Sequence, residues 1–199
     1  MPIQKGENPH HPKKGSTIKV EPIRDRKAIK RIKKLLADNP RNLCLFTIGI
    51  NTAFRANELL SITTGQVRDL EPGDSLDLKQ KKNKKYRAVV LNNNVVTAIQ
   101  QHIKQSKLAD EDPLFLGKRG LLTVPSVSRL VKSWCRDVGL KGNYGSHSLR
   151  KTWGYWQRME RGTAIPLLMD AFGHASQQQT LSYLGIQSTE ISEIYELEL

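Results

Sequence analysis

Hydrophobic residues recur every three or four positions along most of this chain, and over one short stretch they recur at every second position. From Asp25 the helical spacing predicts a helix that ends at Asn39-Pro40, and a nearly all-apolar segment predicts a second helix over about 42–51. The chain is therefore expected to be mainly helical. Further helices are predicted after Asn94 and near 125–138, 147–159, 163–172, 176–184 and 189–197.

The stretch with a period of two predicts a hairpin. Ser75–Lys79 and Tyr86–Leu91 read as two strands, and the segment 80–85 between them reads as a lysine-rich turn. Such a turn is either a solvated edge that discourages aggregation or part of a binding surface. The fold class predicted from both patterns is α+β, mainly α-helical with a small antiparallel β-sheet.

The two ends of the chain differ from its centre. Residues 1–22 carry several prolines and a basic pair with little periodicity, which predicts a flexible basic arm. Residues 23–187 are expected to form one folded domain, and residues 188–199 a separate C-terminal helix. That helix has an apolar stripe of Ile191, Ile194 and Tyr195 beside glutamates, and a helix this short must dock to be stable.

Charge narrows the partners of the protein. The 199 residues include 32 Lys plus Arg and 19 Asp plus Glu, a formal net charge of +13, which favours a polyanion: nucleic acid first, an anionic membrane surface second. No apolar run approaches a spanning helix and no secretory signal is visible, so a cytoplasmic, nucleoid-associated protein is expected. Cys44 and Cys135 both lie in apolar patterns and are expected to be buried thiols rather than a disulfide.

The residues best suited to catalysis or phosphate binding lie between 144 and 183. His147 and Arg150 are spaced i and i+3, so a helix that begins near Ser146 presents both to one spot, beside a helix amino terminus that attracts phosphate. An arginine fork matches two phosphate oxygens, and Arg55 offers a second fork upstream. The alternatives are structural: His147 capping its own helix, and Arg55 paired with Glu58 on the surface.

Five segments of the chain stand out together. They are Phe54-Arg55-Ala56-Asn57-Glu58-Leu59-Leu60, the lysine-bearing hairpin, His147-Ser148-Leu149-Arg150, Phe172-Gly173-His174 and Thr180-Leu181-Ser182-Tyr183-Leu184. In order and spacing they resemble the tyrosine recombinase or phage integrase family, over roughly residues 25–199. The resemblance implies the catalytic-domain fold of that family, and Phe172 stands where leucine is usual, a tolerable change at a packing position.

The resemblance also implies roles for single residues. Arg55 and Arg150 would clamp the scissile phosphate, with His147 at the same spot and Glu58 orienting an arginine or the backbone. His174 would hydrogen-bond the phosphate, although taken alone it could equally be a structural histidine. Tyr183 would be the nucleophile, with Tyr195 in the last helix as its one serious rival.

The general acid implied for the leaving group is a hairpin lysine. Counting back from Val90, where the family usually has proline, gives Lys82, with Lys79, Lys81 and Lys84 close enough to remain alternatives. Other basic residues in these segments are expected to contact DNA: Lys81, Lys84, Lys85, Arg87 and Lys151.

The function implied is site-specific DNA recombination through a 3′-phosphotyrosyl intermediate, without a metal or a nucleotide cofactor. The protein would be a monomer when free and a homotetramer on paired DNA sites, with the C-terminal helix exchanged between subunits and an accessory DNA-bending protein as a further partner. The chain is too short for the separate N-terminal domain of larger members, so it is either a catalytic domain or a short member like the fimbrial phase-switching recombinases.

Other functions remain open at this point. A type IB topoisomerase uses similar chemistry on one duplex, and a DNA-binding module of the same fold could lack catalysis. A membrane-surface protein is disfavoured because the basic residues are spread over several elements. A metallohydrolase is disfavoured because His147 has no second ligand at i+4 and no carboxylate cluster accompanies it.

Overall fold

The computed structural model describes residues 19–79, 86–117, 120–185, 192, 195, 196 and 198. Within these residues the fold is mainly helical with two small antiparallel sheets, as the hydrophobic pattern predicts. The elements are α1 Arg26–Leu35, α2 Pro40–Asn51, α3 Ala56–Leu59, β1 Ser75–Lys79, β2 Tyr86–Val90, α4 Asn93–Ser106, β3 Leu116–Gly117, β4 Gly120–Leu121, α5 Val124–Asp137, α6 Ser146–Arg161, α7 Ile165–Phe172 and α8 Gln177–Leu184.

Local capping explains why several helices begin where they do. The Asp25 carboxylate accepts the backbone N–H of Lys27 at 2.7 Å, and α1 follows directly. The Asn39 side chain accepts the N–H of Asn42, and Pro40 occupies the first position of α2, where a missing N–H costs nothing. The second helix therefore starts two residues earlier than the apolar pattern alone indicates.

The predicted hairpin forms. Strands β1 and β2 are antiparallel, with Ser75 opposite Val90 and Lys79 opposite Tyr86. Leu76 and Leu78 point into the core. The turn over 80–85 lies outside the described residues. The short strands β3 and β4 and the four-residue helix α3 were not predicted, because elements this short show no measurable period.

Helix α2 is the centre of the main core. It packs against α4 on one side and α6 on the other, and Phe46 meets Trp134 edge to face with ring centroids 6.0 Å apart. At Gly49 the approach to α6 is so close that an added Cβ would lie 2.6 Å from Leu149 Cδ1. This tight contact fixes the amino-terminal half of α6, which carries His147 and Arg150.

A second, smaller cluster joins α6, α7 and α8. Its buried members are Ala53, Leu168, Phe172 and Leu184, and Tyr183 packs on its edge. Gly154 of α6 allows the approach, because a Cβ there would collide with the Phe172 ring and lie 2.9 Å from Leu184 Cδ2. The cluster therefore sets the position of Tyr183 relative to α6.

The remaining predictions about the fold have mixed outcomes. Cys44 and Cys135 are free and buried, as expected, and burial raises the pKa of both thiols. None of the described helices is long and apolar enough to cross a membrane. Most of the arm over 1–22 and of the helix predicted near 189–197 lies outside the described residues.

Candidate active site

Arg55 stands between α2 and α3, at the amino-terminal cap of α3. Its backbone N–H donates to Glu58 Oε2 at 2.6 Å, and its guanidinium donates to Glu58 Oε1 at 3.0 Å and to the Phe172 carbonyl at 3.2 Å. The ion pair between Arg55 and Glu58 therefore forms, but the Glu58 carboxylate is buried and does not lie at the surface. The Arg55 side chain keeps 35% of its surface exposed and can still meet a ligand.

Arg150, on α6, lies beside Arg55. It is only 2% exposed, and its guanidinium donates to the carbonyl oxygens of Ala53 and Phe172. Arg55 and Arg150 thus share the Phe172 carbonyl as an acceptor. Burial lowers the pKa of Arg150 to about 10, opposed by the charges of Tyr183 and Glu58, so the side chain still carries its charge at neutral pH.

A third arginine, Arg87 of β2, completes this group. Its guanidinium donates to the Ala53 carbonyl at 2.9 Å and to the Ala171 carbonyl, and lies 3.7 Å from Glu58 Oε2. The buried Glu58 carboxylate is therefore the common counterion of Arg55, Arg87 and Arg150. Arg87 was expected among the DNA contacts, and the structure places most of its side chain inside the protein.

His147 lies in the first turn of α6, with its side chain exposed. Its Nδ1 is 3.4 Å from the Tyr183 hydroxyl, and the two rings meet edge to face. Partial loss of hydration, together with the charges of Arg150, Lys151 and Arg55, lowers the pKa of His147. The imidazole is therefore neutral at pH 7 and able to accept a proton.

His174 follows Gly173, whose φ of 60° ends α7 in the left-handed region that favours glycine. Its Nδ1 is hydrogen-bonded to Thr180 Oγ1 at 3.0 Å, and its ring stacks on Phe172 at 5.0 Å. Burial, reinforced by Arg150 and Arg55, lowers the pKa of His174 to about 4. A neutral imidazole held at Nδ1 leaves Nε2 for a ligand.

Tyr183, on α8, packs against these groups. Its ring centroid is 5.0 Å from that of His174 and 5.2 Å from that of Phe172. Burial raises the pKa of the phenol, and the charges of Arg150 and Arg55 oppose that rise. Tyr195, the rival, has 84% of its surface exposed.

Lys151 and the hairpin lysines complete the set of predicted residues. Lys151 was expected to contact DNA, yet it is only 9% exposed, with its Nζ 4.7 Å from the centroid of the Tyr183 ring. Lys81, Lys82, Lys84 and Lys85 lie outside the described residues. The structure thus brings together Arg55, Glu58, His147, Arg150, His174 and Tyr183, and leaves the position of the predicted general acid open.

Sequence reasoning did not foresee the inward positions of Arg87 and Lys151. A signal existed for Arg87, because period two puts it on the same face of β2 as Val89 and opposite the buried Leu78. For Lys151 the only signal was its place directly after Arg150. Among the residues that the structure describes, no group of three or more His, Cys, Asp or Glu side chains is arranged to hold a metal ion.

The sequence of the chain also matches a known family. The sequence profile of the phage integrase family matches residues 22–190, most of the chain. The chain belongs to the phage integrase family. The enzyme class predicted from the five segments, a tyrosine-type DNA recombinase, is confirmed by this match.

Relatives of the chain within the phage integrase family differ in length. It is 30% identical over 181 residues to the probable integrase/recombinase YoeC of Bacillus subtilis, covering 89% of this chain and 96% of YoeC. It is 26% identical over 165 residues to tyrosine recombinase XerC of Thermodesulfovibrio yellowstonii, covering 78% of this chain and 54% of XerC. The chain thus spans nearly all of one relative and about half of the other.

Solved structures of recombinases share the fold. XerA recombinase superposes with a TM-score of 0.71 at 20% identity, over 94% of this chain and 65% of XerA. XerH site-specific recombinase, solved with its palindromic difH substrate in a post-cleavage complex, superposes with a TM-score of 0.70 at 23% identity, over 90% of this chain and 54% of XerH. The mainly helical fold with a small sheet is therefore that of these recombinases.

Proposed function

We propose that this protein cleaves and rejoins DNA at specific sites, with Tyr183 as the nucleophile. The phenol oxygen attacks the scissile phosphorus, the bond from phosphorus to the 5′ oxygen breaks, and a 3′-phosphotyrosyl link and a free 5′ hydroxyl result. The observation that carries this proposal is the convergence of Tyr183 with His147, His174, Arg55 and Arg150 from four separate parts of the chain.

The two arginines would stabilise the transition state. Negative charge grows on the non-bridging phosphate oxygens during attack, so fixed cationic donors bind the transition state more tightly than the ground state. Arg55 and Arg150 donate to one carbonyl, that of Phe172, so both guanidinium groups face the same small volume. Arg55 is partly exposed, so it is the arginine of this pair that a phosphate could contact from solvent.

The two proton transfers would use different residues. As the phenol attacks, its proton passes to the neutral His147, whose Nδ1 is already 3.4 Å from the Tyr183 hydroxyl. The leaving 5′ oxygen takes a proton from a lysine of the hairpin, for which Lys82 is the proposal. Rejoining reverses both transfers, so the energy of the broken bond is kept in the protein link and no nucleotide cofactor is required.

Glu58 would act by orientation. Both of its carboxylate oxygens are engaged by Arg55, one through the backbone N–H and one through the guanidinium. A buried carboxylate in these contacts fixes the direction of the Arg55 fork and offsets part of the charge of three arginines at close range.

Double-stranded DNA is the proposed substrate and partner. XerH and lambda integrase are structural neighbours of this chain that were solved on their DNA sites, and the net charge of +13 suits a polyanion. We further propose the organisation expected from the sequence: a basic arm over 1–22, a catalytic domain over 23–187, and a C-terminal helix that links subunits of a tetramer on paired sites. Assistance by a DNA-bending protein and association with the nucleoid belong to the same proposal.

The test is covalent trapping. A DNA substrate nicked beside the cleavage point loses its 5′ fragment after attack, so the phosphotyrosyl adduct accumulates and survives a denaturing gel. The unmodified protein and Tyr195→Phe should both form the adduct, whereas Tyr183→Phe should bind DNA and form none, because only the nucleophilic oxygen is removed. An adduct with Tyr183→Phe would show that the nucleophile is a different residue.

The same preparation separates the alternative functions. A recombinase exchanges strands between two target sites, whereas a type IB topoisomerase relaxes one supercoiled duplex without pairing it. A non-catalytic module would bind DNA and form no adduct in any variant.

A further inference from the structure

Lys151 carries a buried charge that has no ion-pair or hydrogen-bond partner among the described residues. It follows Arg150 on α6 and is 9% exposed. None of the ion pairs or hydrogen bonds among the described residues involves its ammonium group. Burying a charge without a partner is costly, so an unpaired ammonium in this place needs an explanation.

The ammonium group lies against the proposed nucleophile. Lys151 Nζ is 4.7 Å from the centroid of the Tyr183 ring, within the range of a cation–π contact. A cavity of about 460 Å³ opens beside the pair and is lined by Lys19, Val20, His147, Gln179 and Ser182 as well. Burial and the charges of Lys19 and Arg24 lower the pKa of Lys151, whereas Glu21 raises it. The surroundings are therefore positive overall and would favour an anion.

We propose that Lys151 is a positioning residue of the strand-cleavage site: its ammonium group holds the Tyr183 ring against α6 and stabilises the negative charge that the phenol acquires as it attacks. The proposal rests on the function proposed above. A phenol ring that loses its proton carries part of the new charge in its π system, so the attraction to a cation on the ring face grows during the attack.

The other charged groups around Tyr183 lie toward its hydroxyl or at the edge of its ring. Arg55 and Arg150 are hydrogen-bonded to backbone carbonyls, and both oppose the rise that burial causes in the pKa of the phenol, Arg150 also through a side-chain hydrogen bond. His147 faces the hydroxyl, and His174 meets the ring at its edge and is bonded to Thr180. Lys151 is thus the cation on the face of the ring among the described residues.

The first test measures the phenol directly. A fluorinated tyrosine is incorporated at position 183 of the full chain, and its titration is followed by ¹⁹F NMR in three proteins: the parent, Lys151→Met and Lys132→Met. Lys132 is exposed on α5 and supplies a matched loss of one charge. We expect Lys151→Met to move the titration to higher pH and Lys132→Met to leave it nearly unchanged.

The second test measures cleavage of the nicked substrate. Lys151→Met should cleave on the order of tenfold more slowly at neutral pH, the scale of a partly desolvated cation–π contact. Lys151→Arg should retain most of the rate because it keeps the charge. Fluorinated tyrosine at position 183 should recover part of the loss in Lys151→Met, because a more acidic phenol needs less help.

Other outcomes would overturn the proposal. If Lys151→Met leaves the ¹⁹F titration and the cleavage rate unchanged, the ammonium group does not act on the nucleophile. If it weakens DNA binding as much as cleavage and reduces the salt slope by about one, Lys151 is a phosphate contact. Should Lys151→Met not fold, Lys151→Gln replaces it in both tests. Failure of the unmodified protein to form an adduct would refute the proposed function alone, since the titration does not depend on cleavage.

Discussion

At the scale of single residues, the site is organised by one buried carboxylate. Glu58 accepts from both the backbone and the guanidinium of Arg55, and it lies within 4 Å of the guanidinium groups of Arg87 and Arg150. Three cations held this close would repel one another without it. The local charge is still positive after Glu58 is counted, and the single negative charge of a scissile phosphate can offset part of the remainder.

The two phosphate arginines lead to a prediction that separates catalysis from binding. Arg55→Ala and Arg150→Ala should each lower the cleavage rate by about a hundredfold to a thousandfold, as the loss of one transition-state donor does. DNA affinity should change little, because either residue is one of 32 basic side chains. Adduct formation and gel-shift affinity, measured on the same preparations, test this.

The controls for these variants depend on how exposed each arginine is. Arg136→Ala removes an exposed arginine from α5 and should affect neither measurement strongly. Because Arg150 is 2% exposed and satisfies two carbonyls, thermal unfolding must show that its variants fold. Equal losses of affinity and cleavage for Arg55→Ala would mean that Arg55 is an ordinary phosphate contact.

His174 gives a prediction about pH and stability. Its pKa in the folded protein is about 4, below the ordinary value of 6.5, so between these values the unfolded chain binds more protons than the folded one. Stability therefore rises with pH in this window and is lost as pH falls from about 6.5 toward 4. Urea midpoints at pH 7.5 and pH 5 should differ less in His174→Gln than in the parent protein. An identical pH dependence in the two proteins would contradict the assigned pKa.

At the scale of elements, the site lies where four segments meet: the turn before α3, strand β2, the amino-terminal half of α6, and the end of α7 with α8. Two glycines, which have no side chain, allow the close helix contacts that hold this arrangement. Gly49 lets α2 approach Leu149 of α6, and Gly154 lets α6 approach Phe172 and Leu184. Helix α6 is thus fixed on both sides, and its His147 and Arg150 are positioned by packing.

Arg87 provides a prediction at this scale, because it ties three of these segments together. Its guanidinium connects β2 to the Ala53 carbonyl before α3 and to the Ala171 carbonyl near the end of α7. Arg87→Met keeps the length of the side chain but removes these donors. We expect it to slow cleavage and to lower the unfolding temperature, with a weaker effect on DNA affinity.

The comparison for Arg87 is again the exposed Arg136. If Arg136→Met and Arg87→Met weaken DNA binding equally, and only binding changes, then Arg87 is a DNA contact as its sequence position suggested. If Arg87→Lys restores stability but not cleavage, the planar fork is needed to hold the two carbonyls in register.

At the scale of the whole molecule, a strongly basic chain ends in an acidic segment. Residues 190–198 include Glu190, Glu193, Glu196 and Glu198 beside the apolar stripe predicted for the C-terminal helix. In the described part of that segment, Tyr195 is 84% exposed. An apolar side chain left this open within one copy of the chain is consistent with a site for a second copy.

Truncation after Ser188 tests this role. The shortened protein should bind a single DNA site nearly as well as the full chain, because the described residues that contact Tyr183 are kept. Strand exchange between paired sites should be lost, because the segment removed is the one proposed to link subunits. Full recombination by the truncated protein would refute the coupling role, and loss of folding would place the segment in the monomer's own core.

The sequence by itself determined the longer described helices, the β1–β2 hairpin and the fold class, and the family resemblance picked out Arg55, Glu58, His147, Arg150, His174 and Tyr183. The hydrophobic period, the helix caps and the short spacings between residues are local properties of the sequence. They can therefore be recognised without knowledge of the tertiary packing. The family resemblance added the order of the segments. The family match confirmed the enzyme class, while the roles of single residues stay predictions.

Only the tertiary structure decided which basic residues face inward. Arg87 and Lys151 read as surface cations in the sequence, yet one satisfies carbonyls from two distant segments and the other lies on the ring of Tyr183. The three-arginine surroundings of Glu58 and the contact of His147 with Tyr183, 36 residues apart, depend on the same packing. Burial and partner choice arise from contacts between segments remote in sequence, and no local pattern encodes them.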